Sequence, residues 1–121
     1  DFHQTEIKFL QADYLNTDLT ENYDVIISNP PYIGIDENIE IEDSVKGFEP
    51  NIALFSPTSD ALIFYRKITK DCENHLNENG LFFLEINQKL GNETLELFKN
   101  FSESELVKDL SGNDRFVMGR K

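Results

Sequence analysis

The sequence predicts an α/β domain that closes on an antiparallel hairpin, and three observations carry that reading. Short apolar runs alternate with segments of helical periodicity: Val25-Ile26-Ile27, then Ala61 to Leu76, then Leu81 to Ile86. The two last apolar runs, Glu105–Leu110 and Arg115–Gly119, are separated only by the turn Ser111-Gly112-Asn113-Asp114, the spacing of a hairpin. The 121 residues fit one domain, and 39% hydrophobic content with 12% aromatics supports a packed core.

In chain order, Ile7-Lys8-Phe9-Leu10-Gln11 reads as a strand and Ala12-Asp13-Tyr14-Leu15 as its end. Asn16 to Asn22 is a polar connector. Tyr23–Ser28 is the central strand. Its unbroken Val25-Ile26-Ile27 run is the pattern of a strand covered on both faces. A parallel pairing of this strand with Ile7–Gln11 needs a crossover of about a dozen residues. The short segment between them favours a turn, so the first strand is expected to detach or exchange with a partner. Gly34 to Phe48 is a long acidic segment with Ile33, Ile35, Ile39 and Ile41 in partial alternation, the pattern of an extended flap. Ser59 and Asp60 are N-cap candidates for a helix running to about His75, with Ala61, Leu62, Phe64, Tyr65, Ile68, Cys72 and Leu76 on its apolar face. Asn77-Glu78-Asn79-Gly80 reads as a turn, Leu81–Ile86 as a buried strand, Asn87–Gly91 as a loop and Asn92–Phe101 as a second helix.

Composition narrows the function classes. No apolar run approaches the ~20 residues of a membrane span, and the N-terminus has no signal-peptide pattern. The lone Cys72 cannot form an internal disulfide, which fits a reducing cytoplasm. His3, His75 and Cys72 lack metal-ligand spacing, so no metal is expected. The net charge of −12 is uneven: the first sixty residues carry thirteen acidic and two basic residues, the remainder ten and nine. An acidic half repels phosphate and attracts basic partners. It disfavours direct DNA binding, unless the acidic surface serves solubility alone.

The chemistry concentrates in Asn29-Pro30-Pro31-Tyr32-Ile33, directly after the central strand. Each proline fixes φ, removes an N–H and pushes the residue before it toward extended geometry. The turn is therefore rigid and rich in carbonyl acceptors. Asn29 adds a side-chain oxygen and an NH2 group, and Tyr32 adds a flat ring. Such a cluster suits a planar –NH2 group with two N–H bonds to satisfy. The plainer alternative is a strand-end turn without chemistry.

N-P-P-Y resembles the motif of S-adenosylmethionine-dependent methyltransferases that act on amide or exocyclic amine nitrogens. Phe48-Glu49-Pro50 with Ala53-Leu54-Phe55, and the closing Asp109-Leu110-Ser111-Gly112-Asn113-Asp114-Arg115 with Gly119-Arg120, narrow the resemblance to the HemK/PrmC-type protein-(glutamine-N5) methyltransferases. It covers essentially the whole chain. It implies the C-terminal part of a class I, Rossmann-like methyltransferase sheet over residues 1–121. The glycine-rich cofactor loop and the family's N-terminal helical domain are expected to be absent: the six glycines include no G-x-G cluster. The activity implied is methyl transfer from S-adenosyl-L-methionine to the glutamine of the Gly-Gly-Gln loop of peptide-chain release factors, in the cytoplasm, by the full-length protein. A ribosomal-protein glutamine, or a nucleic-acid amine of the N6-adenine type, is the alternative substrate. The resemblance implies Asn29 and Pro30 as catalytic acceptors. Asn29, Pro30, Pro31, Tyr32, Ile33 and Glu49 become substrate-binding, with Glu49 equally able to brace the flap. Asp13, Tyr14 and Asn29 become cofactor-binding, with Asp13 the acceptor for the cofactor's adenine amino group; a simple turn aspartate is the alternative for Asp13. The loop at Asn87–Gly91 is implied to lie over the cofactor side. The chain alone is expected to be inactive and to self-associate through a sheet edge.

Overall fold

The computed structural model describes residues 5–31 and 60–121. Its elements are β1 (Tyr23–Ser28), α1 (Ile63–His75), β2 (Leu76–Glu85), α2 (Gly91–Leu97), β3 (Glu103–Lys108) and β4 (Asp114–Arg120). Single 3-10 turns occur at Tyr14–Asn16 and Gln88–Leu90. The strands form one sheet in the order β1-β2-β4-β3. β1 and β2 are parallel, and β4 runs antiparallel to both β2 and β3. This is the mixed α/β sheet with a closing hairpin that the sequence predicts. None of the described helices is long and apolar enough to cross a membrane.

The core forms where one face of the sheet meets the two helices. Tyr65, Ile68, Cys72 and Leu76 share one stripe by their helical spacing, and they bury against Phe82, Leu84, Ile86, Phe98 and Val117. Phe82 and Phe98 stack with centroids 4.4 Å apart, and Phe101 meets Phe82 edge-on at 5.2 Å. Burial pushes the Cys72 thiol up to about 12, helped by the neighbouring Asp71 and Glu73. Cys72 is therefore an inert packing group.

The other face of the sheet differs from expectation. The register Val25↔Leu81 and Ile27↔Phe83 places these four residues on the side away from the helices. Among the described residues that face is open: Val25 is 45% and Ile27 75% exposed. The apolar run of β1 matches a strand covered on both faces, but here only Ile26 packs against the core.

Three other boundaries shift. Ile7–Gln11 forms no strand; it runs irregularly outside the sheet, with Phe9 93% exposed. Among the described residues no strand pairs with it, and β1 is an outer strand of the sheet. β2 starts at Leu76, just before the predicted turn Asn77–Gly80, and takes that turn in. Tyr23 pairs with Leu76 and Val25 with Leu81, so the turn survives as an irregularity inside the strand. Asn79 takes up the slack at φ 64, and Asn77 Nδ2 donates to Asp24 Oδ1 at 2.9 Å. α2 ends at Leu97, before the predicted Phe101. Its continuation tightens into shorter-range bonds, Phe98 N–H to the Leu95 carbonyl and Phe101 N–H to the Phe98 carbonyl.

α1 starts after a turn held by Asp60, whose side chain accepts the Leu62 N–H at 3.1 Å and also pairs with Arg66. The predicted cap at Ser59 lies outside the described residues. The β3–β4 hairpin is organised by Asp109. Its carboxylate accepts N–H groups from Ser111 and Asn113 and a guanidinium bond from Arg115 at 3.2 Å. Gly112 at φ 83 supplies the left-handed residue this tight turn requires.

Candidate active site

Because β1 and β2 are parallel, their carboxyl ends coincide. The pairing Ser28↔Leu84 brings the turn after Ser28 and the loop after Glu85 to the same end of the sheet. Ligands of α/β sheets bind outside this end, where the loops leave the strands.

The first wall of the site is Asn29-Pro30-Pro31. Pro30 is buried, Pro31 half-buried and Asn29 exposed. A proline has no N–H to strand, so it can be buried at a strand end without cost in hydrogen bonding. Burying Pro30 fixes the backbone on which Asn29 stands. Tyr32, Ile33 and Glu49, the other expected substrate contacts, lie outside the described residues.

The second wall is the loop after β2. Ile86 is fully buried, and its N–H donates to the Arg115 carbonyl at 2.9 Å. Asn87 is buried too. Its N–H donates to the Tyr65 hydroxyl at 3.0 Å, and its side-chain oxygen accepts the Lys89 N–H at 2.8 Å. The Leu90 N–H closes the turn on the Asn87 carbonyl at 2.9 Å. Gly91 then passes so close to Asp114 that a Cβ would meet its carboxylate at 2.7 Å. The loop is thus tied to the Arg115 carbonyl at Ile86 and to α1 at Asn87, and Asn87 closes its turn from within.

Asp13 stands apart on its own exposed turn. Its Oδ2 accepts from Asn16 Nδ2 at 2.7 Å, and its carbonyl accepts the Thr17 hydroxyl at 2.7 Å. Among the described residues no hydrogen bond joins it to Asn29, Pro30 or Pro31. Tyr14 anchors the turn to α1. Its hydroxyl donates to the buried Asp71, which pairs with Lys67 at 2.9 Å, and the Lys67 ammonium lies 4.5 Å from the Tyr14 ring centre. Burial, then the bond to Asp71, raise the Tyr14 hydroxyl well above its ordinary value, so it stays protonated. Tyr14 thus spends its polar atom inside the protein. Asp13, the position expected to meet the cofactor's adenine amino group, keeps an exposed side chain with one carboxylate oxygen on Asn16. Nothing in this chain matches the glycine-rich approach that the remainder of such a cofactor needs.

Sequence reasoning missed Tyr65 and the Tyr14–Asp71–Lys67 cluster. The i,i+4 spacing of Lys67 and Asp71 was a visible signal for their pair. Tyr65 looked like one more apolar position on α1. Among the described residues no group of His, Cys, Asp and Glu could hold a metal ion. A shallow groove lined by Leu81, Phe83, Glu105, Met118 and Arg120 lies toward the other end of β2 from Asn29.

The mixed sheet, with the Asn29 turn at the carboxyl end of β1, matches part of a class I methyltransferase fold. Comparison with known proteins gives a more particular answer. No protein-family model matches the chain. It is 44% identical over 118 residues to a release factor glutamine methyltransferase of Flavobacterium psychrophilum, covering 95% of this chain and 41% of that protein. It is 38% identical over 120 residues to the release factor glutamine methyltransferase of Lactococcus lactis, covering 97% and 44%. The protein of that name from Francisella tularensis is 38% identical over 114 residues, covering 92% and 39%. The chain is homologous to the C-terminal part of the release factor glutamine methyltransferases. It spans about two fifths of the length of the curated relatives it matches.

Proposed function

We propose that this chain forms the C-terminal part of the catalytic domain of an S-adenosyl-L-methionine-dependent methyltransferase acting on the glutamine of the Gly-Gly-Gln loop of peptide-chain release factors. The observation that carries the reading is the exposed Asn29 seated on the buried Pro30 at the carboxyl end of β1, in a chain with these relatives.

A glutamine amide nitrogen is a poor nucleophile because its lone pair is delocalised into the carbonyl. The Asn29 side-chain oxygen and the Pro30 carbonyl would accept its two N–H bonds. Fixed acceptors hold the nitrogen in one orientation and favour the positive charge that grows on it, without a strong base. Tyr32 and Ile33 would pack the glutamine side chain, and Glu49 would bind the substrate or brace the segment around it. S-adenosyl-L-methionine supplies an electrophilic methyl group when bound. Asp13 would accept from its adenine amino group, and the ribose and methionine ends would be held by residues of the longer protein. The acidic balance of the first sixty residues suits a basic protein loop better than a nucleic acid. The lone, buried Cys72 is compatible with the reducing cytoplasm where translation runs.

The test uses the full-length protein and a methyl-labelled donor. Label is expected in the release-factor glutamine, and none in a release factor whose Gly-Gly-Gln glutamine is replaced. Label in DNA or in a ribosomal protein, with the release factor unlabelled, would overturn the substrate assignment.

A further inference from the structure

We propose that the Glu85 carboxylate belongs to the amide site, standing beside Asn29 and stabilising the positive charge that methyl transfer puts on the target nitrogen. The inference rests on the proposed function, in which Asn29 holds that nitrogen, and it adds a residue from outside the Asn29–Ile33 motif.

The placement follows from the sheet register. Val25 pairs with Leu81, Ile27 with Phe83 and Ser28 with Leu84. Side chains alternate between the faces of a sheet, so Val25, Ile27, Leu81 and Phe83 share the face away from the helices. Asn29, kept extended by the proline after it, and Glu85, the last residue of β2, come next on that face. Neighbouring strands lie about 4.8 Å apart, so the register carried one step past Ser28 sets Glu85 beside Asn29. On its other side Glu85 pairs with Phe116 of β4, which is 38% exposed on the same face.

Glu85 is half-buried, and among the described residues its carboxylate has no hydrogen-bond or ion-pair partner. The other described acidic residues withdrawn from solvent, Asp60, Asp71, Asp109 and Asp114, each pair with a lysine or arginine. A charge drawn partly out of water without a partner costs stability, so the described fold gains nothing from it. The gain lies in the site. An amide nitrogen that takes a methyl group uses its lone pair for the new N–C bond, while the broken methyl–sulfur bond leaves its electrons on sulfur. Positive charge arrives at the nitrogen and stays until one N–H proton leaves. Asn29 and Pro30 offer neutral acceptors. A fixed carboxylate next to them supplies the full negative charge that they lack, and it is placed to take the departing proton and pass it to water.

The experiment compares full-length wild type, Glu85→Gln and Glu85→Asp with a release factor as substrate. Turnover is followed with a methyl-labelled donor, release-factor affinity by titration calorimetry without donor, and stability by urea unfolding. Glu85→Gln keeps the shape and removes the charge, so kcat should fall about tenfold or more. An interaction that strengthens only in the transition state leaves ground-state binding alone, so release-factor affinity should stay within about threefold of wild type. The urea midpoint should not fall. Glu85→Asp keeps the charge and should retain more of kcat than Glu85→Gln. In an Asn29→Ala background Glu85→Gln should cost less than it does alone, because both residues act on one nitrogen. Near wild-type kcat in Glu85→Gln would overturn the inference. So would a loss of affinity that accounts for the whole loss of kcat/KM, or a Glu85→Gln variant that is destabilised or unfolded, since either would make the charge a binding or folding contact. A wild type that leaves the release factor unlabelled would defeat the proposed substrate. A wild type that labels it no faster than Glu85→Gln does would defeat only the role of Glu85.

Discussion

Ile27→Ala should cost far less than Phe82→Ala in this chain, although their strands are neighbours. The two side chains project to opposite faces of the sheet, because Ile26, not Ile27, is paired with Phe82. Phe82 is 1% exposed, stacked on Phe98 and edge-on to Phe101. Truncating it leaves a cavity and should cost about 3–5 kcal/mol. Ile27 is 75% exposed. Full burial of an isoleucine contributes about 1.5–3 kcal/mol, and only a quarter of that burial exists here, so its loss should cost about 0.5 kcal/mol. A sheet of this class is covered on both faces in a complete α/β domain. In a protein of the relatives' length, Ile27→Ala should therefore rise to about 2–4 kcal/mol while Phe82→Ala stays where it was. Urea unfolding of both variants in both lengths measures the four numbers. A loss above about 2 kcal/mol for Ile27→Ala in the 121-residue chain would refute the one-sided sheet.

Three further outcomes are expected from the same structure. Thr94 is fully buried, and among the described residues its hydroxyl lacks a hydrogen-bond partner; Thr94→Val should stabilise the chain by about 1 kcal/mol, read as a higher urea midpoint, and a lower midpoint would show that the hydroxyl is satisfied. The Asp109 carboxyl is held below its ordinary value by the Asn113 N–H first, and also by Arg115 and Ser111. A lowered folded-state pKa contributes stability above the unfolded value near 3.9, lost as pH falls through the lowered one. Asp109→Asn should therefore flatten the acid side of the pH–stability profile, and superimposable profiles would contradict the assignment. β1 is an outer strand carrying the exposed Val25 and Ile27, so light scattering should show mass rising with concentration, and Ile27→Lys should suppress it; a mass that stays monomeric throughout would count against edge pairing.

The closing hairpin and the β1–turn–α1–β2 order were legible because local rules decide them. Ser111-Gly112-Asn113-Asp114 is a turn in any context, and the helical stripe of α1 is long enough to outweigh its ambiguous positions. The misplacements arose where tertiary partners decide. Ile7–Gln11 has strand composition, but the segment to Tyr23 is too short for a parallel crossover, and among the described residues it pairs with no strand. Asn77–Gly80 has turn composition, yet pairing with β1 absorbs it into β2. The Asn29 turn was legible as a rigid strand-end turn because two prolines restrict it locally. Tyr65 was not, because a hydroxyl on an apolar stripe declares its role only when the 22-residue connection to Asn87 closes in space.

The most direct test of the central claim is the turnover of Asn29→Ala in the full-length enzyme with a release factor as substrate. The substitution removes the turn's side-chain acceptor and leaves one amide N–H unpaired in a closed site. That costs about 1–3 kcal/mol or more of transition-state stabilisation, so kcat should fall roughly ten- to hundredfold or further. The fold should survive, because the Asn29 side chain is exposed. A folded variant with near wild-type kcat would show that Asn29 does not hold the reacting nitrogen, and would contradict the account.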